Sequence, residues 1–359
     1  IREICIKYRF FILILFIIIL LFKIYNLDSF TINQNIDLSK KKDLKTIKIR
    51  DLTNAILKNP DNPIFFLERA LYNINRNDFK AALIDLEKCV YLDSSNFDYQ
   101  YKIAEVYFES SKLEGANPNY PILARKHLLK ALELNKSDYR SHALFGELLL
   151  AYKQYKKALK HLNMSLEINY NQPKTHLLLG YTFKQINQFE QAINCFRNAV
   201  NIDPDFIEGY IQLGQIYHVR KDTLAIIYYD NALELDGNDE IVLYNKAVFF
   251  QEIMDWNKAL LAYTDLHKIN PFHANGHYNI GFIHMELGLY DIAVNNFSDA
   301  IYSESTFHEA YYSRGVCFET LGNIAQAESD YNRSIEINPE YSYGIDALKE
   351  LQNKNKKYQ

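Results

Sequence analysis

Residues 173–206, PKTHLLLGYTFKQINQFEQAINCFRNAVNIDPDF, decide the fold. The apolar and small positions are His176, Leu179, Gly180 and Phe183, then Ala192, Phe196 and Ala199, with Pro204 closing the stretch. Steps of three and four put each set on one face of a helix. The polar run Lys184, Gln185, Ile186, Asn187 and Gln188 separates the two sets and reads as a turn, so the stretch predicts two antiparallel helices. Helices packed at about 8–10 Å need small side chains where their axes come closest, and Gly180 and Ala192 meet that need. Pro204 lacks a backbone donor and clashes with the preceding turn, so the second helix stops there.

The same pattern runs down the chain. Small residues recur at Ala70, Ala104, Gly146, Gly180, Gly214, Ala247, Gly281 and Gly315, at intervals of 34, 42, 34, 34, 33, 34 and 34 residues. Alanines follow twelve residues later at 82, 158, 192, 259, 293 and 327, and Ala124 and Ala225 match once an inserted loop and a one-residue deletion are allowed for. Prolines equivalent to Pro204 stand at Pro60, Pro271 and Pro339. A fixed period of this length means a helical repeat array.

A small residue at the eighth place, alanine at the twentieth and twenty-seventh, and proline at the thirty-second together resemble the tetratricopeptide repeat family. The resemblance covers about four-fifths of the chain under the period rule. It implies an all-α fold, a right-handed superhelical solenoid of antiparallel helix pairs. Eight repeats are expected at 63–96, 97–138, 139–172, 173–206, 207–239, 240–273, 274–307 and 308–341, as one elongated domain with a continuous core. Residues 43–62 read as a degenerate leading half-repeat and 342–359 as a capping helix with a basic tail. The chain departs from the pattern at the fourth place, where Phe66, His142, His176, Tyr210, Leu243, His277 and Tyr311 stand instead of tryptophan, and in an eight-residue excess over 110–121.

Residues 10–22, FFILILFIIILLF, carry no polar side chain and follow Arg2, Lys7 and Arg9. That pattern targets a membrane. Bulky residues from Phe22 to Leu27 offer no small-residue cleavage site, so an uncleaved anchor within residues 1–27 is expected, with 28–42 as a polar tether. The excess of basic residues before the segment places the amino end in the cytoplasm and the repeats beyond it, periplasmic in a Gram-negative bacterium. A cleaved signal with secretion is the alternative.

A formal charge of −4 without long blocks of like charge in the repeats leaves no footprint for nucleic acid. Cys5, Cys89, Cys195 and Cys317 are widely spaced and predict neither a disulfide nor a metal site. His273, His277 and His284 suggest a metal at first sight, but His277 and His284 occupy places where the family has core aromatics. No phosphate loop or nucleophile motif occurs, so no catalytic residue, cofactor, metal or small-molecule substrate is expected.

The family resemblance implies a concave groove lined by the first helix of each pair. Its fifth place holds Tyr101, Tyr244, Tyr278 and Tyr312, its sixth Gln212, Asn245 and Asn279, and its ninth Gln215. Carboxamides at regular spacing suit the backbone of an extended peptide, and tyrosines suit an interface anchor. The expected function is therefore a membrane-anchored scaffold for a protein or peptide partner. The alternative is an accessory factor of an envelope complex that docks by the convex face or by the 110–121 loop.

Overall fold

In a computed structural model, residues 49–357 are described, and among them all regular structure is helical, with eighteen helices and no strand. The expected anchor and tether, residues 1–42, and the first part of the half-repeat lie outside the described residues. Among the described residues no helix is long and apolar enough to cross a membrane. The chain divides into two compact units, one running to Leu144 and the other beginning at Phe145.

The first unit holds α1 (49–58), α2 (Pro63–Ile74), α3 (Phe79–Leu92), α4 (Phe97–Ser110), α5 (Tyr120–Leu134) and the start of α6 (Tyr139–Ala151). The second holds the rest of α6, then α7 (Tyr155–Ile168), α8 (Pro173–Gln185), α9 (Phe189–Ile202), α10 (Ile207–Val219) and α11 (Leu224–Leu235). It continues through α12 (Glu240–Glu252), α13 (Trp256–Ile269), α14 (Ala274–Glu286), α15 (Tyr290–Ser303), α16 (His308–Thr320), α17 (Ile324–Ile337) and α18 (Ser342–Lys357). Within each unit the helices of a hairpin pack on each other and the second helix packs on the first helix of the next hairpin, for example α2 on α3 and α3 on α4.

The small-residue lattice has a partner that the sequence period does not reveal. A Cβ added at Gly180 would lie 2.4 Å from the ring of Phe196, at Gly214 2.5 Å from Tyr229, at Gly281 2.8 Å from Phe297 and at Gly315 2.7 Å from Tyr331. All four rings are buried. Glycine at the eighth place thus faces an aromatic ring near the twenty-fourth place of the same hairpin. Where the eighth place is Ala70 or Ala104, the corresponding buried side chain is the thinner Leu86 or Leu128. Two hairpins depart from the match: a Cβ added at Gly146 would lie 2.5 Å from Leu162, and Ala247 shares its hairpin with the buried Tyr263.

Two devices end the helices. At the thirty-first place of the repeat an Asp or Asn side chain accepts a hydrogen bond from the backbone N–H two residues on: Asp93, Asn135, Asn169, Asp203, Asp236, Asn270 and Asn338. This side-chain turn competes with helix continuation and recurs in units that lack the proline. Between the helices of a hairpin, seven units hold their fifteenth residue in the left-handed region: Asn77, Lys153, Asn187, Lys221, Met254, Gly288 and Gly322. Met254, at φ 60°, pays a steric cost that glycine avoids. Met254→Gly is expected to raise stability by about 0.5–1 kcal/mol, read as a higher urea midpoint. A lower midpoint would show that its exposed side chain contributes more than the backbone strain costs.

A buried polar tie recurs at the two ends of the described array. Arg69 grips Asp85 with two hydrogen bonds of 2.7 and 2.8 Å and donates a third, of 3.2 Å, to the Thr53 hydroxyl of α1. Arg314 does the same with Asp330 at 2.7 and 2.8 Å and with Ser298 at 3.0 Å. Each arginine joins the second helix of its own repeat to the helix before it. Fork-shaped pairing of this kind fixes geometry as well as charge. Thr53 therefore stands where Ser298 stands in the repeat preceding Arg314.

Cys89, Cys195 and Cys317 are free thiols in the core. Burial pushes the first two up to about 12 and the third to about 11, so all are protonated and unreactive. Cys5 lies outside the described residues.

Candidate functional site

Lys184 and Gln185 belong to the last turn of α8 rather than to the inter-helix turn. A lysine is favoured there by the helix dipole, and the chain reverses only where Asn187 takes φ 59°. The extra turn carries the Lys184 ammonium to α10, where it donates to Gln212 Oε1 at 3.0 Å and lies 3.5 Å from Gln215 Oε1. Gln212 Nε2 in turn donates to Glu208 Oε1 at 3.0 Å, and the Tyr181 hydroxyl donates to the same oxygen. Burial lowers the Lys184 pKa, with Glu208 opposing, and raises that of Tyr181.

Lys184 and Gln215 border a cleft of about 620 Å³ inside the second unit. Lys184 and Phe189 line one side, Gln215, Ile216 and Val219 of α10 the middle, and Asn245 and Glu252 of α12 the other side. His218 and Arg220 complete the wall. His218 accepts or donates at Nδ1 against the Tyr229 hydroxyl, 3.1 Å away, and its Nε2 is 3.5 Å from Glu252. Arg220 pairs with Glu190 at 2.9 Å. The cleft thus combines two carboxamides, exposed apolar side chains and two cations, a set that can hold a polypeptide backbone and its side chains.

Of the residues expected to line a groove, the structure brings Gln215 and Asn245 into the wall of this cleft and buries Gln212 behind Lys184. The others sit elsewhere. Tyr244 packs against Tyr263 and His273, and its hydroxyl accepts from Asn279 Nδ2 at 3.3 Å. Asn279 also donates to the Tyr263 hydroxyl at 2.8 Å, which ties α12, α13 and α14 together. Tyr278 packs against Phe297 and Phe307 and accepts a 3.4 Å hydrogen bond from Ser313. Tyr312 stands among Tyr331, Tyr341 and Tyr343. Tyr101 belongs to the first unit, where it donates to Glu105 at 2.9 Å and carries the Arg140 guanidinium 5.1 Å from its ring centre. All four tyrosines are partly buried between helices. Lys184, absent from the expected set, has a signal in the sequence: it holds the twelfth place of its repeat, a ligand-facing place in the family.

A second hollow, in the first unit, is lined by Arg125, Lys126, Lys130 and His127 of α5 with Gln100. It carries none of the carboxamide sites of the first helices beyond Gln100, whose Oε1 is already 2.8 Å from His127. Among the described residues no group of three or more His, Cys, Asp or Glu is arranged to hold a metal.

Comparison with known proteins places these observations. A family model described as "TPR repeat" matches residues 181–219, and one described as "Tetratricopeptide repeat" matches residues 308–341. Anaphase-promoting complex subunit 3 of Schizosaccharomyces pombe is 30% identical over 106 residues, 29% of this chain and 16% of that protein. Human protein O-mannosyl-transferase TMTC3 is 32% identical over 95 residues, 26% of this chain and 10% of that protein. The chain therefore spans less than a fifth of either relative. Among solved structures, the C-terminal part of a TPR repeat-containing protein of Cytophaga hutchinsonii aligns over 70% of this chain and 99% of its own, with a TM-score of 0.61 at 14% identity. Pseudomonas aeruginosa pilF aligns over 58% of this chain and 92% of its own, with a TM-score of 0.51 at 18% identity. These likenesses establish the fold, an array of antiparallel helix pairs, with tetratricopeptide repeats matched at residues 181–219 and 308–341.

Proposed function

We propose that this tetratricopeptide-repeat array is a non-catalytic scaffold that binds an extended segment of a partner protein in the cleft between Lys184, Gln215 and Asn245. The observation that carries the reading is the cleft itself, where carboxamides from successive first helices stand beside exposed apolar surface. Each carboxamide offers a donor and an acceptor, as a peptide backbone does. The fission yeast relative, named as a subunit of a complex, agrees with an assembly role. Residues 8–27 attach the scaffold to a membrane with the repeats away from the cytoplasm, a reading supported by the uninterrupted apolar run 10–22 and the basic residues before it.

The test is in-cell crosslinking and affinity capture of the full chain, wild type against the Gln215→Ala, Asn245→Ala double variant. Both side chains are partly exposed on helices, so the fold tolerates alanine. The double variant is expected to capture its partner at least tenfold less. An unchanged set of captured proteins would remove the cleft from the function.

A further inference from the structure

Lys184 holds a positive charge that has only neutral acceptors in direct contact. An ammonium has three donors, and here two face the amide oxygens of Gln212 and Gln215 at 3.0 and 3.5 Å. The carboxylate of Glu208 stands behind Gln212, with Oε1 taken by the Gln212 amide and the Tyr181 hydroxyl. Gln212 is thus a spacer that holds Lys184 and Glu208 apart. Burial already weakens the hydration of Lys184 in the free protein, so an entering anion meets a cation that needs little further desolvation.

Arg220 adds a second cation to the same cleft. Its partner Glu190 has a side chain 76% exposed, and an exposed pair of this kind contributes about 0–1 kcal/mol, so it exchanges readily for another carboxylate. Against Lys184 and Arg220 the lining sets one carboxylate, Glu252, which lies 3.5 Å from His218. Glu190 on Arg220 and Glu208 behind Gln212 bring two further carboxylates near, which leaves Lys184 as the cation of the cleft with no carboxylate in direct contact. Beside the cations lie Val219, 83% exposed, and Phe189, 38% exposed. A phosphate dianion fits less well than a carboxylate, because Glu252 and two amide oxygens would face its additional charge.

We propose that the cleft recognises an acidic side chain within an extended segment of the partner, with Lys184 as its direct counter-ion, Arg220 as the second, and a neighbouring apolar residue of the segment on Val219 and Phe189. This rests on the peptide-binding reading above and names the chemistry of the ligand. The flanking carboxamides hold the backbone on which that acid is carried, and Glu252 excludes a second acid at the α12 side.

The probe is a set of nine-residue peptide libraries, acetylated and amidated at their ends, with glutamate or glutamine fixed at the centre and the other positions randomised. Full-length protein in detergent is passed over each immobilised library. The glutamate library is expected to retain at least fivefold more protein than the glutamine library, and Lys184→Gln to abolish that difference. Lys174→Gln, which removes an exposed lysine paired with Glu147, is expected to leave the preference intact, and helicity shows that each variant folds. Equal retention by both libraries, lost in the Gln215→Ala, Asn245→Ala variant, would overturn the acid preference and leave the peptide reading standing. No retention by either library would overturn both. A preference that survives Lys184→Gln would overturn the assignment of the counter-ion. A third, glutamine-centred library with its C-terminal carboxylate left free controls for the chain end, and retention by that library alone would replace the side chain by a chain terminus.

Discussion

Phe196→Ala is expected to lower the unfolding free energy by about 3–5 kcal/mol, the cost of emptying a fully buried aromatic site. Gly180→Ala, the other side of the same contact, is expected to cost about 1–3 kcal/mol, because a new Cβ 2.4 Å from the ring forces either helix to shift. That loss exceeds the roughly 1 kcal/mol that alanine gains over glycine in a helix. The combination Gly180→Ala with Phe196→Leu rebuilds the pairing found at Ala70 with Leu86 and Ala104 with Leu128. It is expected to be more stable than the sum of the two single changes by about 1 kcal/mol or more, a coupling that urea denaturation of the four proteins measures. Additive single effects would show that the two positions do not share one volume.

The second expected loss is set by acidity. His267 lies with its ring 3.9 Å from that of His277, and its Nε2 is buried without a hydrogen-bond partner. Burial first, then the neighbouring His277, lowers its pKa to about 4, while Asp299 acts in the opposite sense. Near it, His273 accepts from the Gly276 amide and approaches Glu240 at 3.6 Å, and the His277 Nε2 faces the Pro271 carbonyl at 2.9 Å. In the unfolded chain the imidazole takes a proton near pH 6.5, and in the folded chain only near 4. Folding stability is therefore complete above about pH 6.5 and falls as the pH drops toward 4. The ring is partly exposed, so after discounting for solvent the loss is on the order of 2 kcal/mol. His267→Phe, which keeps a stacked ring without a titrating nitrogen, is expected to flatten the fall in urea midpoint between pH 7 and pH 4.5. Burial also lowers His127, His176, His273 and His284, so a residual slope remains. A variant as acid-sensitive as wild type would place the sensitivity in those other histidines.

The fold was legible because its strongest constraint is local and periodic. Closest approach of two helices demands a small residue at fixed intervals, and Gly146 to Gly315 display that demand without reference to any partner. The filling side chains were less legible: Phe196, Tyr229, Phe297 and Tyr331 look like ordinary apolar positions until the glycine they face is known. The Asp and Asn turns at the thirty-first place were visible as letters, yet proline drew the reading because its effect needs no geometry. Lys184 read as turn because polar residues between apolar sets suggest a loop, whereas the position of chain reversal depends on which residue takes the left-handed conformation, here Asn187. The tyrosines at the fifth place illustrate a different limit. Whether such a ring faces a groove or a neighbouring helix depends on helix rotation, and in Tyr244, Tyr278 and Tyr312 the neighbour holds it.

The match between the glycine at the eighth place and its aromatic ring lies inside one hairpin. A hairpin that is duplicated, deleted or exchanged carries both halves of the match with it, so the array can change length without a compensating substitution elsewhere. The two positions share one volume, and different hairpins have settled on different pairs, as Gly281 with Phe297, Gly146 with Leu162 and Ala70 with Leu86 have done. The core is thus inherited in self-sufficient modules, and the surface of each module is left open to diverge toward its own ligand.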